Sequence, residues 1–280
     1  MVDGGKIDAL AINALTEELD TYPKYGLVCP NTSGSHTDMD YSVMKAGIRS
    51  LTGCFGRFFE VGKSGINPQD ALPILRKEGV EFEKKMLSAT NGVNTHKGAL
   101  FCLGLASFAV GVTADEFSLK KVSYVISKTC QGLTQELKTA TGHGRRVFDR
   151  YGETGARGMA EDGYAVVVKK YVPLLKKLYK KHDANEARSR LLACVASQVA
   201  DINILHRSDM ETLLKAQQIC GRLYRRYDRK RAEKANEWFV SHNVSAGGCA
   251  DILSLTVFLH DAERLFAAEK TNKKGVVPSQ

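Results

Sequence analysis

Apolar residues recur at three- and four-residue intervals along nearly the whole chain, and convincing two-residue alternation is absent. That periodicity dictates helices, because a helix returns to the same face about every 3.6 residues whereas a strand alternates. Leu191, Leu192, Val195, Val199, Ile202 and Leu205 form one such stripe, the inward face of a helix packed on others. The pattern predicts helices near 6–20, 39–61, 70–89, 95–111, 115–139, 163–181, 184–206, 209–240 and 248–268. The expectation is an all-α fold of about nine helices, one compact catalytic domain over 1–269, with 270–280 a disordered tail. Polar loops at 21–38, 140–156 and 241–247 hold most of the Gly, Asn, Asp and His. Gathered at one end of a bundle, such loops would form a polar cleft.

Composition narrows the function classes. At 280 residues and 43% apolar, the chain can bury a substantial core. Its 40 basic against 31 acidic residues give a formal charge of +9, which favours anionic partners such as nucleotides and coenzyme phosphates. Seven cysteines, an odd number with no C-x-x-C pair, argue against a disulfide framework or structural zinc and suit a reducing cytoplasm. The N-terminus lacks a signal-peptide profile, and the apolar run Leu100 to Val112 is too short to cross a bilayer. No membrane partner is expected.

Five polar clusters could carry chemistry. In NTSGSHTDMDY (31–41), Asp38 and Asp40 beside His36 suit Mg²⁺ ligation or a general base, with a helix N-cap by Asp38 and Thr37 as the weaker alternative. GVNTHKGALF (92–101) sets Asn94, Thr95, His96 and Lys97 onto the start of an apolar helix, where unpartnered N–H groups and the dipole attract phosphate. The glycine-rich stretch 141–163 offers His143, Arg145, Arg146 and Arg157 to phosphates, with Glu161 four residues from Arg157, a spacing that also suits a helical ion pair. ADINILHR (200–207) places Asn203 and Arg207 on one face, and Asp201 in an apolar helix asks for a metal or a cationic partner. In SAGGCADILSLTVFL (245–259), Gly247 and Gly248 precede a helix and Asp251 sits one turn in.

Other signals fail. Neither a P-loop nor a Rossmann glycine motif occurs. The pairs His182–Asp183 and His260–Asp261 are too short to be specific and sit in charged contexts. The basic run 221–234 could bind nucleic acid, but reads better as a solvated helix face with Leu223, Tyr227 and Trp238 turned inward, so nucleic acid is not an expected partner.

Taken in this order, YPKYGLV (22–28), GSHTDMD (34–40), ATNGVNTHKGALF (89–101), HGRRVFDRYGETGARGMAEDG (143–163), ADINILHR and SAGGCADILSLTVFL resemble the triphosphoribosyl-dephospho-CoA synthase family, over roughly residues 21 to 260. The chain departs from the family's usual residues at Tyr25, Asn91, Ala246 and Cys249, and has Met159 where Glu is frequent. The resemblance implies transfer of the 5-triphosphoribosyl group of ATP to the 2′-hydroxyl of 3′-dephospho-CoA, with loss of adenine. The product is a prosthetic-group precursor for an acyl carrier protein. It further implies Asp38 or Asp40 as base or Mg²⁺ ligand, with Glu161, Asp201 and Asp251 as the other metal carboxylates. His96 or His143 would protonate adenine; Lys97, Arg157, Arg207 and the Gly247–Gly248 amides would hold phosphates, with His36, Asn94, Thr95 and Asn203 completing the substrate site. The rival expectation is a helical Mg²⁺-dependent nucleotide or ADP-ribose hydrolase, in which water replaces the acceptor.

Overall fold

From Ala99 to Gly111 the sequence offers no charged side chain, and a helix that is apolar all round has to be surrounded. That helix is the hub of the computed structural model, which describes residues 2–275. The chain begins α1 (Gly4–Leu19), α2 (Tyr41–Ser50), α3 (Cys54–Lys63), α4 (Pro68–Ala89) and the hub α5 (Lys97–Val112). It continues α6 (Leu119–Thr129), α7 (His143–Tyr151), α8 (Gly155–Glu161), α9 (Val172–Tyr179) and α10 (Ala184–Ala196). It closes with α11 (Ile202–Arg207), α12 (Met210–Arg225), α13 (Arg229–Ser241) and α14 (Gly247–Gly275). No strand occurs among the described residues.

The hub is enclosed by α3, α4, α6 and α14, with α1 lying against both α3 and α14. The first half of α14 is almost as apolar as α5, and Leu253, Leu255, Val257, Phe258 and Leu259 are fully buried. A second layer, α9, α10 and α12, covers the other side of α14 through α10.

The helices are more numerous and shorter than the periodicity predicts, because Asp residues inside apolar stripes start new ones. The stripe expected over 184–206 breaks after Ala196, and Asp201 caps α11 by accepting from the Asn203 amide. Asp228 divides 209–240 by capping α13 through the Arg231 amide. The helix expected over 39–61 breaks at Gly53, whose φ of 88° is the left-handed conformation that glycine tolerates. Conversely, the expected loop 140–156 contains α7. The final helix runs on through Gly275, into the segment expected as a tail; 276–280 lie outside the described residues.

In the basic run, Leu223 is buried and the Tyr227 hydroxyl donates to Ser189 Oγ (2.9 Å) from a half-buried ring, while Arg222, Arg225 and Arg226 face solvent. His260 is buried rather than in the surface setting expected for it, and it pairs with Asp261 at 2.7 Å. All seven cysteines are buried free thiols. Among the described residues no helix is long and apolar enough to cross a membrane.

Candidate active site

Hydrogen bonds draw the 21–38 loop onto the turn before α14. The Gly26 amide donates to Asn236 Oδ1 (3.0 Å), and Ser35 Oγ donates to the Val244 carbonyl (2.7 Å). Arg207, from the end of α11, donates to the Ser35 carbonyl (2.7 Å) and to Asn243 Oδ1 (2.9 Å). Together with the first turns of α5 and α14, these segments enclose a cavity of about 170 Å³ lined by Glu18, Lys24, His36, His96 and Arg207. A second cavity, of about 320 Å³, opens between α5, α8, α11 and α14, with Thr154, Arg157, Met159, Tyr164 and Ile252 in its walls. Both cavities share Asn94, Lys97, Gly98, Asn203 and Asp251.

Asp251 stands at that shared wall, one turn into α14. Its carboxylate rests on Gly98 so closely that a Cβ there would lie 2.0 Å from Oδ2, which leaves room only for glycine. Among the described residues no N–H group or side chain donates to it. Burial, then the negative charges of Glu18 and Asp201, hold its carboxyl well above the usual carboxylate range.

Asp201 is the opposite case. Only 1% exposed, it accepts from the amides of Asn203 (2.8 Å) and Ile204 (3.4 Å) with one oxygen and from Cys249 (2.9 Å) with the other. The partner that its burial demanded is neither a metal nor a cation. It is the first turns of α11 and α14, which one carboxylate clips together. Gly248 is small enough to let that carboxylate in, since a Cβ there would sit 3.1 Å from Oδ2. Burial still raises the Asp201 pKa, against the lowering effect of the amides.

The floor of the first cavity is a buried ion pair that the sequence reading did not single out. Lys24 is 1% exposed; its ammonium lies 2.7 Å from Glu18 Oε1 and donates to the Val28 carbonyl (2.8 Å). Glu18 falls on the inward stripe of α1 with Ile7, Ala11, Ala14 and Leu15, and a carboxylate on a buried stripe was the available signal. His96, 4% exposed, shares a hydrogen bond between Nδ1 and Thr95 Oγ1 (2.8 Å) and has no protein partner at Nε2. Burial, then the charge of Lys24, push its pKa down to about 3. Near neutrality it is a neutral ring with one unused nitrogen. His36 is held below its ordinary pKa by burial and Arg207, against Asp38; its Nε2 meets Ser245 Oγ at 2.8 Å and its Nδ1 lies 3.5 Å from Asp38 Oδ1.

The structure thus brings His36, Asn94, Thr95, His96, Lys97, Arg157, Asp201, Asn203, Arg207, Gly247, Gly248 and Asp251 to the two cavities. It leaves others outside. Asp38 is 61% exposed at the side chain, behind His36. Asp40 is the cap of α2: it is exposed and accepts from the Val43 amide and then the Ser42 hydroxyl, which together lower its pKa. His143 stacks on His206 (ring centroids 3.6 Å apart) and lines neither cavity. Glu161 accepts from the amides of Gly132 (2.8 Å) and Thr134 (3.0 Å), so the helical ion pair with Arg157 does not form. Lys97, although it lines both cavities, has its ammonium paired with Glu83 at 2.6 Å. Of the five carboxylates expected around magnesium, Asp201 and Asp251 share the second cavity and the other three lie elsewhere; Asp40 and Asp201 cap helices, Glu161 caps a turn, Asp38 is exposed, and among the described residues nothing donates to Asp251. Among the described residues no group of three or more His, Cys, Asp or Glu is disposed to hold a metal ion.

Residues 5–270 match the family described as ATP:dephospho-CoA triphosphoribosyl transferase. A probable 2-(5″-triphosphoribosyl)-3′-dephosphocoenzyme-A synthase of Acinetobacter calcoaceticus is 34% identical, over 93% of this chain and 92% of that protein. A 2-(5″-triphosphoribosyl)-3′-dephosphocoenzyme-A synthase of Pectobacterium atrosepticum is 33% identical, over 91% of this chain and 88% of its own length. No solved structure matches the chain. The chain belongs to the ATP:dephospho-CoA triphosphoribosyl transferase family.

Proposed function

From that membership we propose that the two cavities act as one cleft, in which Asp251 accepts the proton of the attacking hydroxyl. The enzyme is a transferase: ATP gives its triphosphoribosyl group to the 2′-hydroxyl of 3′-dephospho-CoA, making the prosthetic-group precursor. The bond between ribose C1′ and adenine breaks, its electron pair leaving with the base. A bond from the acceptor's 2′ oxygen to C1′ forms, the hydroxyl proton passes to a carboxylate, and the departing adenine takes up a proton from solvent while the carboxylate releases its own, so that neutral adenine leaves and the base is restored. The transition state carries positive charge on the sugar, as in glycoside hydrolysis, so a carboxylate next to C1′ is doubly useful.

The observation that carries this assignment is that Asp251 lines both cavities and is bound by no donor. Its raised proton affinity favours taking up the proton of the hydroxyl. Arg207 and Lys24 in the first cavity, and Arg157 in the second, are the cations proposed for the phosphates. Arg157 makes no ion pair among the described residues and has its guanidinium to offer. Lys97 reaches a phosphate only by leaving Glu83. His96, held neutral, contributes a hydrogen-bonding nitrogen rather than a stored proton. Among the described residues no preformed carboxylate set fits magnesium, so Mg²⁺ is proposed to belong to the phosphates of bound ATP. The free thiols suit a reducing cytoplasm.

The test is adenine release from ATP, followed by chromatography with and without 3′-dephospho-CoA. Release that requires the acceptor is expected. Equal release without it would indicate the hydrolase.

A further inference from the structure

Both substrates are adenine nucleotides, yet the two cavities differ in chemistry. The first is charged, with Lys24, Glu18, His36 and Arg207. The second is larger and, besides Lys97, Arg157, Asp201 and Asp251, has an apolar wall of Leu137, Met159, Val199 and Ile252. In that apolar wall sits Tyr164, 2% exposed, whose hydroxyl is buried without a protein partner. Its backbone is in the left-handed region (φ 50°), uncommon for a bulky residue, and is pinned there by its amide donating to the Met159 carbonyl (2.7 Å). The preceding Gly163 is clamped by Ser123 Oγ donating to its carbonyl (2.7 Å). A strained backbone and an unmet hydroxyl at one residue both oppose folding, and such costs collect where a ligand is met. A purine has the matching form, a flat apolar body with a polar edge.

Resting on the transferase reading above, we infer that the second cavity is the acceptor's nucleoside pocket and that the Tyr164 hydroxyl reads the edge of its purine. ATP, which carries the greater charge, then takes the first cavity, and the two riboses meet at Asp251. Tyr164 is a specificity-determining residue in this arrangement, and takes no part in bond making.

The experiment is Tyr164→Phe, which removes the hydroxyl alone. Because that hydroxyl has no protein partner to lose, the variant melts at or above the wild-type temperature. Its Kd for 3′-dephospho-CoA, measured by calorimetry without ATP, rises about five- to tenfold, the usual range for one lost hydrogen bond, and KM for the acceptor follows. KM for ATP moves less than the acceptor's. Wild type also prefers dephospho-CoA over its hypoxanthine analogue, and the variant loses that preference, which a merely structural role would not produce. Unchanged acceptor binding, or weakening of ATP equal to that of the acceptor, overturns the inference. If wild type itself neither binds dephospho-CoA nor needs it for adenine release, the transferase assignment fails instead.

Discussion

Asp201 and Asp251 both line the second cavity, and they have opposite fates. Asp201 spends both oxygens on three backbone amides and clips two helices; Asp251 lies against bare Gly98 and spends neither. Both are raised by burial, so elevated proton affinity alone does not separate structure from chemistry. What separates them is hydrogen bonding. A buried carboxylate with its donors supplied holds the fold together, whereas a half-buried one at a cavity wall, met by no protein donor, is available to something that is not part of the fold.

Substitution at the two sites should break this symmetry most visibly. Asp251→Asn is expected to lower single-turnover adenine release by about 10²–10⁴-fold, the usual yield of a general base. It should not lower stability at neutral pH. Because the folded pKa of Asp251 is raised above its unfolded value, its contribution is fully present below the unfolded pKa and is lost as pH rises through the folded one. Denaturation curves of wild type should therefore weaken relative to Asp251→Asn as pH climbs from acid towards neutrality. A variant less stable than wild type at neutral pH would show Asp251 to be structural like Asp201.

Next in size is the pair beneath them. Lys24→Met strands the Glu18 carboxylate in the cavity floor and should cost about 3–5 kcal/mol in urea unfolding, with Glu18→Gln/Lys24→Met recovering part of the loss. Equal losses in the single and double variants would mean that the pair contributes packing only. Asp201→Ala should cost about 2 kcal/mol, since it removes the cap of α11 and the tie to the Cys249 amide together. Its turnover should recover towards wild type at temperatures well below its melting point. Asp40→Ala is the smallest: a slight fall in melting temperature from loss of the α2 cap, with turnover near wild type. Abolished turnover there would return the base to the exposed loop.

These pairs also show how far the sequence could be read. Helical class followed from spacing alone, because periodicity survives any tertiary arrangement. Helix number did not, because an Asp inside an apolar stripe reads equally as a cap or as a catalytic group, and Asp201 and Asp228 proved to be caps. The segments holding Asn94, Lys97, Asn203, Gly247 and Asp251 stood out by composition, and the fold brings them together. Asp40 and Glu161 carried the same composition signal, but backbone amides close to them in sequence or in space satisfy them first. Glu18 was visible as a carboxylate on the buried stripe of α1, whereas Tyr164 left no trace, since a missing hydrogen-bond partner exists only in three dimensions.

The most direct measurement is a structure of the inactive Asp251→Asn enzyme with ATP and 3′-dephospho-CoA both bound. The account predicts the acceptor's 2′ oxygen within hydrogen-bonding distance of the substituted side chain and facing C1′ of ATP. Riboses that meet elsewhere, with position 251 touching neither, would contradict it.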